Sequence, residues 1–170
     1  MFWYVIGIVL NLILVGFDRL TKVFASKIPY GDSIDVIPGV FEITHIRNTG
    51  AAFSILQGGR WFFIVVTILI LGVIIFYYIK MPKERFDTIR KISLILISAG
   101  AIGNLIDRLF FGYVVDFLYF SLINFPVFNL ADAYDVVGTI IFIVITLFFS
   151  GEKKVKESYE TDEAGEREID

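Results

Sequence analysis

Residues 61–79 read WFFIVVTILILGVIIFYYI, which is 19 consecutive residues without a charged side chain. A helix rises about 1.5 Å per residue and the hydrocarbon core of a bilayer is about 30 Å thick, so roughly 20 apolar residues cross it. The segment is therefore nearly long enough to span a membrane as a helix without any help from its flanks.

Three further uncharged stretches lie elsewhere in the chain, at residues 1–17, 92–106 and 136–151. Each is shorter than a full crossing, so its helix must continue through charged residues at one end. The carboxylates on these extensions are Asp18, Asp107, Asp132 and Asp135. An acid at or inside the membrane boundary is costly, and such residues are candidates for function.

The overall composition also favours a membrane protein. The 170 residues are 56% hydrophobic, with 18 Phe and a mean hydropathy of +0.75, whereas soluble domains are about 45–50% apolar. With no Cys and a single His (His45), we expect no disulfide, no metal centre and no cofactor. Outside 151–170 acids and bases nearly balance, so no basic face favours nucleic acid.

Lysine and arginine residues indicate the orientation of the four helices. Five bases crowd the connector 80–91, and Lys153, Lys154 and Lys156 follow the last helix. The positive-inside rule makes that side cytoplasmic, together with both chain termini. The intramembrane acids then gather near the outer leaflet, which is the pattern expected of a site.

The two outer connections differ in character. Residues 27–60 alternate in places and contain Pro and Gly, which predicts short strands on the membrane surface. Residues 109–128 are rich in Phe and Tyr, which predicts an interfacial, partly helical piece. We therefore expect a mainly α membrane protein with one domain over residues 1–151, and a disordered acidic cytoplasmic tail over 152–170.

Three polar motifs accompany the helix ends. Asp18 and Lys22 are four residues apart and can pair on one helical face. Asn104, Asp107 and Arg108 also share a face, and a guanidinium beside a carboxylate is most simply a structural pair. The segment from Asn48 to Ser54 contains small residues that permit a close backbone approach, or it is a plain turn. For each motif a structural role and a role in a site stay open.

Two further aspartates differ in their surroundings. Asp116 lies between apolar residues where the third helix ends, without a neighbouring base, so its pKa should be raised. Asp132 follows Asn129 by three residues, in the pattern of a capping box, and the helix N-terminus favours its ionised form. Unequal environments are typical of an acid–base pair, which activates water without a metal.

The motifs occur in a fixed order, as DRLTK at 18–22, NTGAAFS at 48–54, GNLIDR at 103–108, VVDF at 114–117 and FNLAD at 128–132. In this order they closely resemble the bacterial lipoprotein signal peptidase (signal peptidase II) family. The resemblance implies four transmembrane helices, an extracytoplasmic β-cradle and a short interfacial helix. It also implies an aspartic endopeptidase that cleaves lipidated prolipoproteins before the diacylglyceryl-modified cysteine, and that globomycin inhibits. We expect it to act as a monomer in contact with the lipid of a bacterial cell membrane.

The same resemblance implies the site residues. Asp116 and Asp132 would be the catalytic pair. The supporting residues would be Asp18, Lys22, Asn48, Gly50, Asn104, Asp107, Arg108, Asn129 and Ala131. Asp135 departs from the family, which generally carries an uncharged residue there. It could hold a second proton, couple to Asp132, face water or pair locally.

Three other functions are compatible with parts of the sequence. A small transporter or proton channel would use a row of polar side chains across the whole membrane, whereas here the acids cluster at one end of the helices. A serine–lysine protease would use Ser54 and Lys22. A membrane scaffold would have no catalytic activity.

Overall fold

The structure is a computed structural model that describes residues 2–50, 56–81 and 87–149. Its framework is four helices, α1 (Phe2–Ala25), α2 (Arg60–Lys80), α3 (Asp87–Phe110) and α4 (Leu130–Phe149). All four are long and apolar enough to cross a membrane. This confirms the predicted fold class, and three of the helices continue through aspartates as expected.

The helices are apolar outside and polar inside, the reverse of a water-soluble bundle. Leu12 and Leu147 are 69% and 71% exposed, whereas Asp18 and Asp107 are fully buried. Lipid tails are as apolar as leucine, so helices in a membrane associate through close packing and polar contacts rather than through a hydrophobic driving force. Close packing and the polar interior therefore hold these helices in one arrangement.

Helix α3 lies at the centre and contacts the other three helices. Glycines on both helices allow α3 and α4 to approach closely. A Cβ built on Gly100 of α3 would collide with the carbonyl oxygen of Ala131, and one built on Gly138 of α4 would lie 2.8 Å from the carbonyl oxygen of Ser93. Small residues of this kind are common where transmembrane helices meet.

A three-stranded antiparallel sheet covers one end of the helices. Its strands are β1 (Ser33–Ile37), β2 (Phe41–Asn48) and β3 (Val114–Tyr119), in the order β1-β2-β3. Strands β1 and β2 fall inside the range 27–60 where the sequence predicts strands. The central strand β2 therefore pairs with β1 in a local hairpin on one edge and with β3, which follows α3 in the sequence, on the other.

Strand β3 differs from the expectation for the aromatic segment, in which α3 was expected to end near Asp116. Helix α3 ends at Phe110 instead, and Gly112 follows with a φ of +81°, a conformation that suits glycine. The β-branched residues Val114 and Val115 then favour a strand, which pairs with β2. The helical part of the segment is a single 3-10 turn at Ser121–Ile123.

The second edge of β3 holds the start of α4. Phe128 forms a bridge with Leu118, and the amides of Phe117 and Leu118 both donate to its carbonyl oxygen, at 2.9 and 2.8 Å. These contacts place Asn129, the residue before α4, beside the strand that carries Asp116. The acidic tail at 152–170 lies outside the described residues, so its predicted disorder stays a prediction.

The close approach of α3 and α4 yields a stability test. Gly138→Ala places a Cβ against Ser93 and Ile97, and such overpacking should lower the free energy of unfolding by about 1–3 kcal/mol. The matched control is Gly72→Ala in α2, where the new Cβ meets no atom within 4 Å. The control should leave stability unchanged or raise it by up to about 1 kcal/mol. Equal unfolding temperatures of the two variants in one detergent would contradict this packing.

Candidate active site

A buried lysine lies where α1 and α3 end beneath the sheet. The ammonium of Lys22 is 3.0 Å from Oδ2 of Asp18 and 2.9 Å from Oδ2 of Asp107, and it donates to Oδ1 of Asn104 at 2.9 Å. The side chain is only 2% exposed. An ammonium has three donors, so the three contacts satisfy it completely. The predicted pair of Asp18 and Lys22 is present, as part of a larger cluster.

Arg19 is a second cation in this cluster, and the sequence analysis did not single it out. Its guanidinium binds Asp18 at 3.1 Å and also binds Asp107. The remaining carboxylate contacts go to backbone amides, because Oδ1 of Asp18 accepts from Ala131 at 3.1 Å and Oδ2 of Asp107 accepts from Val115 at 3.3 Å. The cluster thus ties α1 and α3 to the start of α4 and to β3.

Two asparagines connect this cluster to the predicted catalytic pair. Asn104 accepts from Lys22 and donates through Nδ2 to Oδ1 of Asp132 at 2.8 Å. Asn129, which is fully buried, donates to Oδ1 of Asp116 at 2.7 Å and to Oδ1 of Asn104 at 3.2 Å. The two amide groups thus hold both aspartates in fixed orientations.

Asp132 is part of the predicted capping box. Its backbone amide donates to Oδ1 of Asn129 at 3.0 Å, and the amide of Asn129 donates to its Oδ2 at 3.0 Å. With the bond from Asn104, both carboxylate oxygens accept hydrogen bonds. These donors and the free N–H groups of the first turn stabilise a negative charge. The capping role and a place in the site are therefore compatible.

Asp116 lies in the middle of β3 and is buried. Oδ2 accepts from Nδ2 of Asn48 at 2.9 Å, and Oδ1 accepts from Asn129. Burial, and then the charge of nearby Asp132, raises the pKa of Asp116 to about 7. The sequence expectation of a raised pKa holds, although both oxygens have amide partners that the sequence did not reveal.

The remaining predicted residues border the aspartates. The amide of Gly50 donates to Oδ1 of Asn48 at 2.9 Å, and Arg108 donates to the carbonyl oxygen of Gly50 at 3.2 Å. The expected local pair of Arg108 with Asp107 is wrong, because Asp107 is taken by Lys22 and Arg19. Arg108 instead lies over the ring of Phe63, 4.9 Å from its centroid.

A cavity of about 650 Å³ opens beside the aspartates. Asp116, Asp132 and Arg108 form its polar end, and its other walls are mainly apolar. Asp135 lines the same cavity one turn farther along α4. All eleven residues predicted for the site lie in this cavity wall or in the hydrogen-bonded cluster behind it. Ser54, the nucleophile of the serine–lysine alternative, lies outside the described residues.

Comparison with known proteins identifies the family. A family model described as Signal peptidase (SPase) II matches residues 10–149. The chain belongs to the signal peptidase II family. It is 43% identical to a lipoprotein signal peptidase of Streptococcus thermophilus (strain CNRZ 1066) over 135 residues, and this match covers 79% of this chain and 87% of the relative. It is 42% identical to a lipoprotein signal peptidase of Streptococcus pyogenes serotype M5 (strain Manfredo) over 138 residues, and this match covers 80% of this chain and 90% of the relative.

Solved structures agree with this membership of the signal peptidase II family. A bacterial membrane enzyme determined by the in meso method is 38% identical, with a TM-score of 0.77, and the match covers 87% of this chain and 90% of that one. A second has a TM-score of 0.74 at 37% identity, covering 85% and 94%. The chain is therefore an integral membrane peptidase, and the transporter alternative is not favoured.

The buried lysine yields a second stability test. Lys22→Met leaves Asp18 and Asp107 buried with Arg19 as their remaining described cationic partner, and breaking a buried ion pair costs about 3–5 kcal/mol. The matched control is Lys27→Met, because Lys27 is exposed and lies over the ring of Phe24. We expect a large loss of unfolding temperature for the first variant only. A Lys22→Met protein as stable as the control would show that the lysine does not organise the cluster.

Proposed function

We propose that the chain is an aspartic endopeptidase that removes the signal peptide from lipidated prolipoproteins by cleaving before the diacylglyceryl-modified cysteine. Asp116 and Asp132 are the catalytic residues of this proposal, and the other nine residues of the cluster position them. The observation that carries it is the meeting of these two carboxylates at one cavity, with different surroundings, at the end of a membrane-spanning bundle. The names of the relatives supply the substrate class.

The different surroundings suit an acid and a base. Asp132 accepts from a backbone amide and from Asn104 at a helix N-terminus, which favours the carboxylate. Asp116 is buried and has a pKa of about 7, so much of it is protonated at neutral pH. Two carboxyl groups whose environments differ in this way take opposite roles in proton transfer. Because Asp116 and Asp132 interact, they titrate as a pair and share this proton.

The reaction follows from this assignment. Asp132 takes a proton from a water molecule while the water oxygen attacks the scissile carbonyl carbon. Asp116 gives its proton to the carbonyl oxygen, which produces a neutral gem-diol. The gem-diol then returns a proton to Asp116 as the C–N bond breaks, and Asp132 protonates the leaving amine. No step needs a metal ion or a cofactor.

The cavity also suits a substrate that is held in lipid. Its walls beyond the aspartates include Phe120, Phe125 and Val137, which can contact the acyl chains or the apolar signal peptide. A helical signal peptide hides its carbonyl groups, so it must unwind locally to reach the aspartates. The same cavity would bind a globomycin-type cyclic peptide. We propose that the enzyme works as a monomer.

The serine–lysine alternative has less support. A lysine base needs a free amine, whereas the ammonium of Lys22 is held by Asp18, Asp107 and Asn104. In the proposal, Lys22 therefore has a structural role.

The first functional prediction concerns the two aspartates. Asp116→Asn and Asp132→Asn should each reduce the cleavage of a lipidated prolipoprotein by about 10²–10⁴-fold, because each removes a group that transfers protons in both halves of the reaction and general acid–base catalysis contributes about that much. The matched control is Asp35→Asn on β1, an exposed acid, and it should keep wild-type activity. Either catalytic-pair variant within tenfold of wild type would refute the assignment.

The second prediction concerns pH. Asp116 has to be protonated to donate to the carbonyl oxygen, and its pKa is about 7. The neutral form dominates below that value and is lost as pH rises through it. Cleavage should therefore decline on the alkaline side with a midpoint near pH 7. A rate that stays level to pH 9 in the same detergent would contradict this role for Asp116.

The third prediction concerns orientation. We propose that both termini are cytoplasmic and that the site faces the outer leaflet. The chain has no native Cys, so single cysteines can be introduced without background. A cysteine at the exposed Gln57, beside Gly58, should react with an impermeant thiol reagent in intact cells, and one at Lys80 should react only after the cells are opened. The reverse pattern would invert the protein in the membrane.

A further inference from the structure

Arg19 is the residue of the buried cluster to which the proposed reaction assigns no role. Its side chain is 24% exposed and lies outside the wall of the cavity. The guanidinium uses two different nitrogen atoms, because Nη2 donates to Oδ2 of Asp18 at 3.1 Å and Nη1 donates to Oδ1 of Asp107. The arginine therefore joins a carboxylate on α1 to a carboxylate on α3.

Each of these two carboxylates also holds one backbone amide. Oδ1 of Asp18 accepts from Ala131 at 3.1 Å, and Oδ2 of Asp107 accepts from Val115 at 3.3 Å. These two amides belong to the residues immediately before the two aspartates of the cavity. Ala131 and Val115 are buried, at 0% and 5% exposure, so neither backbone segment can shift without displacing its packed neighbours.

Arg19 adds a constraint that Lys22 cannot supply. The ammonium of Lys22 contacts Oδ2 of both carboxylates through a single nitrogen atom, about which each carboxylate can turn. The planar fork of a guanidinium defines the direction of each hydrogen bond. With the arginine present, both oxygens of Asp107 are held by cations. The oxygen that accepts from Val115 then has a fixed position.

We propose that Arg19 is a positioning residue, which sets the separation of the two catalytic aspartates by joining the carboxylates that hold the backbone just before each of them. The proposal rests on the proposed function, since it concerns the same aspartates. Both must lie within hydrogen-bond reach of the reacting atoms, and a misplacement of about 1 Å can lower a rate about 100-fold.

The kinetic signature follows from the location of Arg19. Because the side chain lies outside the cavity wall, its loss leaves the substrate contacts in place and disturbs only the geometry of the aspartates. An interaction that is needed in the transition state alone affects kcat and leaves KM unchanged. A role in stability alone would change the unfolding temperature and leave the kcat of the folded enzyme unchanged.

The test compares kcat, KM and unfolding temperature of three variants on one lipidated prolipoprotein, below all unfolding temperatures. Arg19→Met removes both hydrogen bonds, and kcat should fall by about 10–100-fold with KM unchanged. Arg19→Lys keeps the charge on one nitrogen, so it should restore the unfolding temperature but leave kcat about tenfold low. The matched control is Arg90→Met, which removes a guanidinium from the buried Asp87 at the opposite end of α3. It should lower stability without changing kcat.

Three results would overturn the proposal. The first is a folded Arg19→Met protein with the kcat of the wild type. The second is an Arg19→Lys protein with the kcat of the wild type, because charge alone would then be sufficient, and this variant decides the question if Arg19→Met does not fold. The third is an equal loss of kcat in Arg90→Met. If the wild type itself cleaves no lipidated prolipoprotein, the proposed function fails, and the proposal fails with it.

Discussion

The contact on which the rest of the site depends is that of the buried Lys22 ammonium with Asp18, Asp107 and Asn104. It joins α1 to α3 through charged groups that are at most 2% exposed. With Arg19 added, the cluster contains two cations and two carboxylates, so it is neutral as a whole. Buried charges are tolerated when they are paired and hydrogen-bonded in this way.

Among residues 2–50, 56–81 and 87–149, this neutral cluster leaves the two aspartates of the cavity without a direct cationic contact. Amide groups of Asn48, Asn104 and Asn129 reach them instead, and amides orient a carboxylate without fixing its charge. In the proposed mechanism, Asp116 can therefore be neutral while Asp132 is ionised. An ion pair at either position would hold it in the charged form and prevent the exchange of protons that this mechanism requires.

Much of this architecture could be predicted because membranes impose strict rules on sequence. The uncharged stretch at 61–79 specifies a crossing by its length alone, and the spacing of Asn129 and Asp132 specifies a capping box. The conformation around Asp116 could not be predicted in this way. Its strand depends on pairing with β2, whose residues are about 70 positions earlier in the chain.

The partners of the charged groups could not be predicted from local sequence patterns either. Asp107 and Arg108 are adjacent and suggested a pair, yet Asp107 binds Lys22 and Arg19 from another helix. The role of Arg19 could not be predicted from its position beside Asp18, because its second partner, Asp107, comes from α3. Helix packing decided these contacts, through glycines such as Gly103 that bring α3 close to its neighbours.

In the proposed mechanism, Asp116 carries a proton near neutral pH while the protein is folded and free of substrate. Infrared difference spectroscopy of the detergent-solubilised protein, between pH 6 and pH 8, measures this directly through the C=O stretch of protonated carboxyl groups. We predict a band that disappears with a midpoint near pH 7 in the wild type and is missing from the Asp116→Asn variant. An identical titrating band in both proteins, or none in the wild type, would contradict the account.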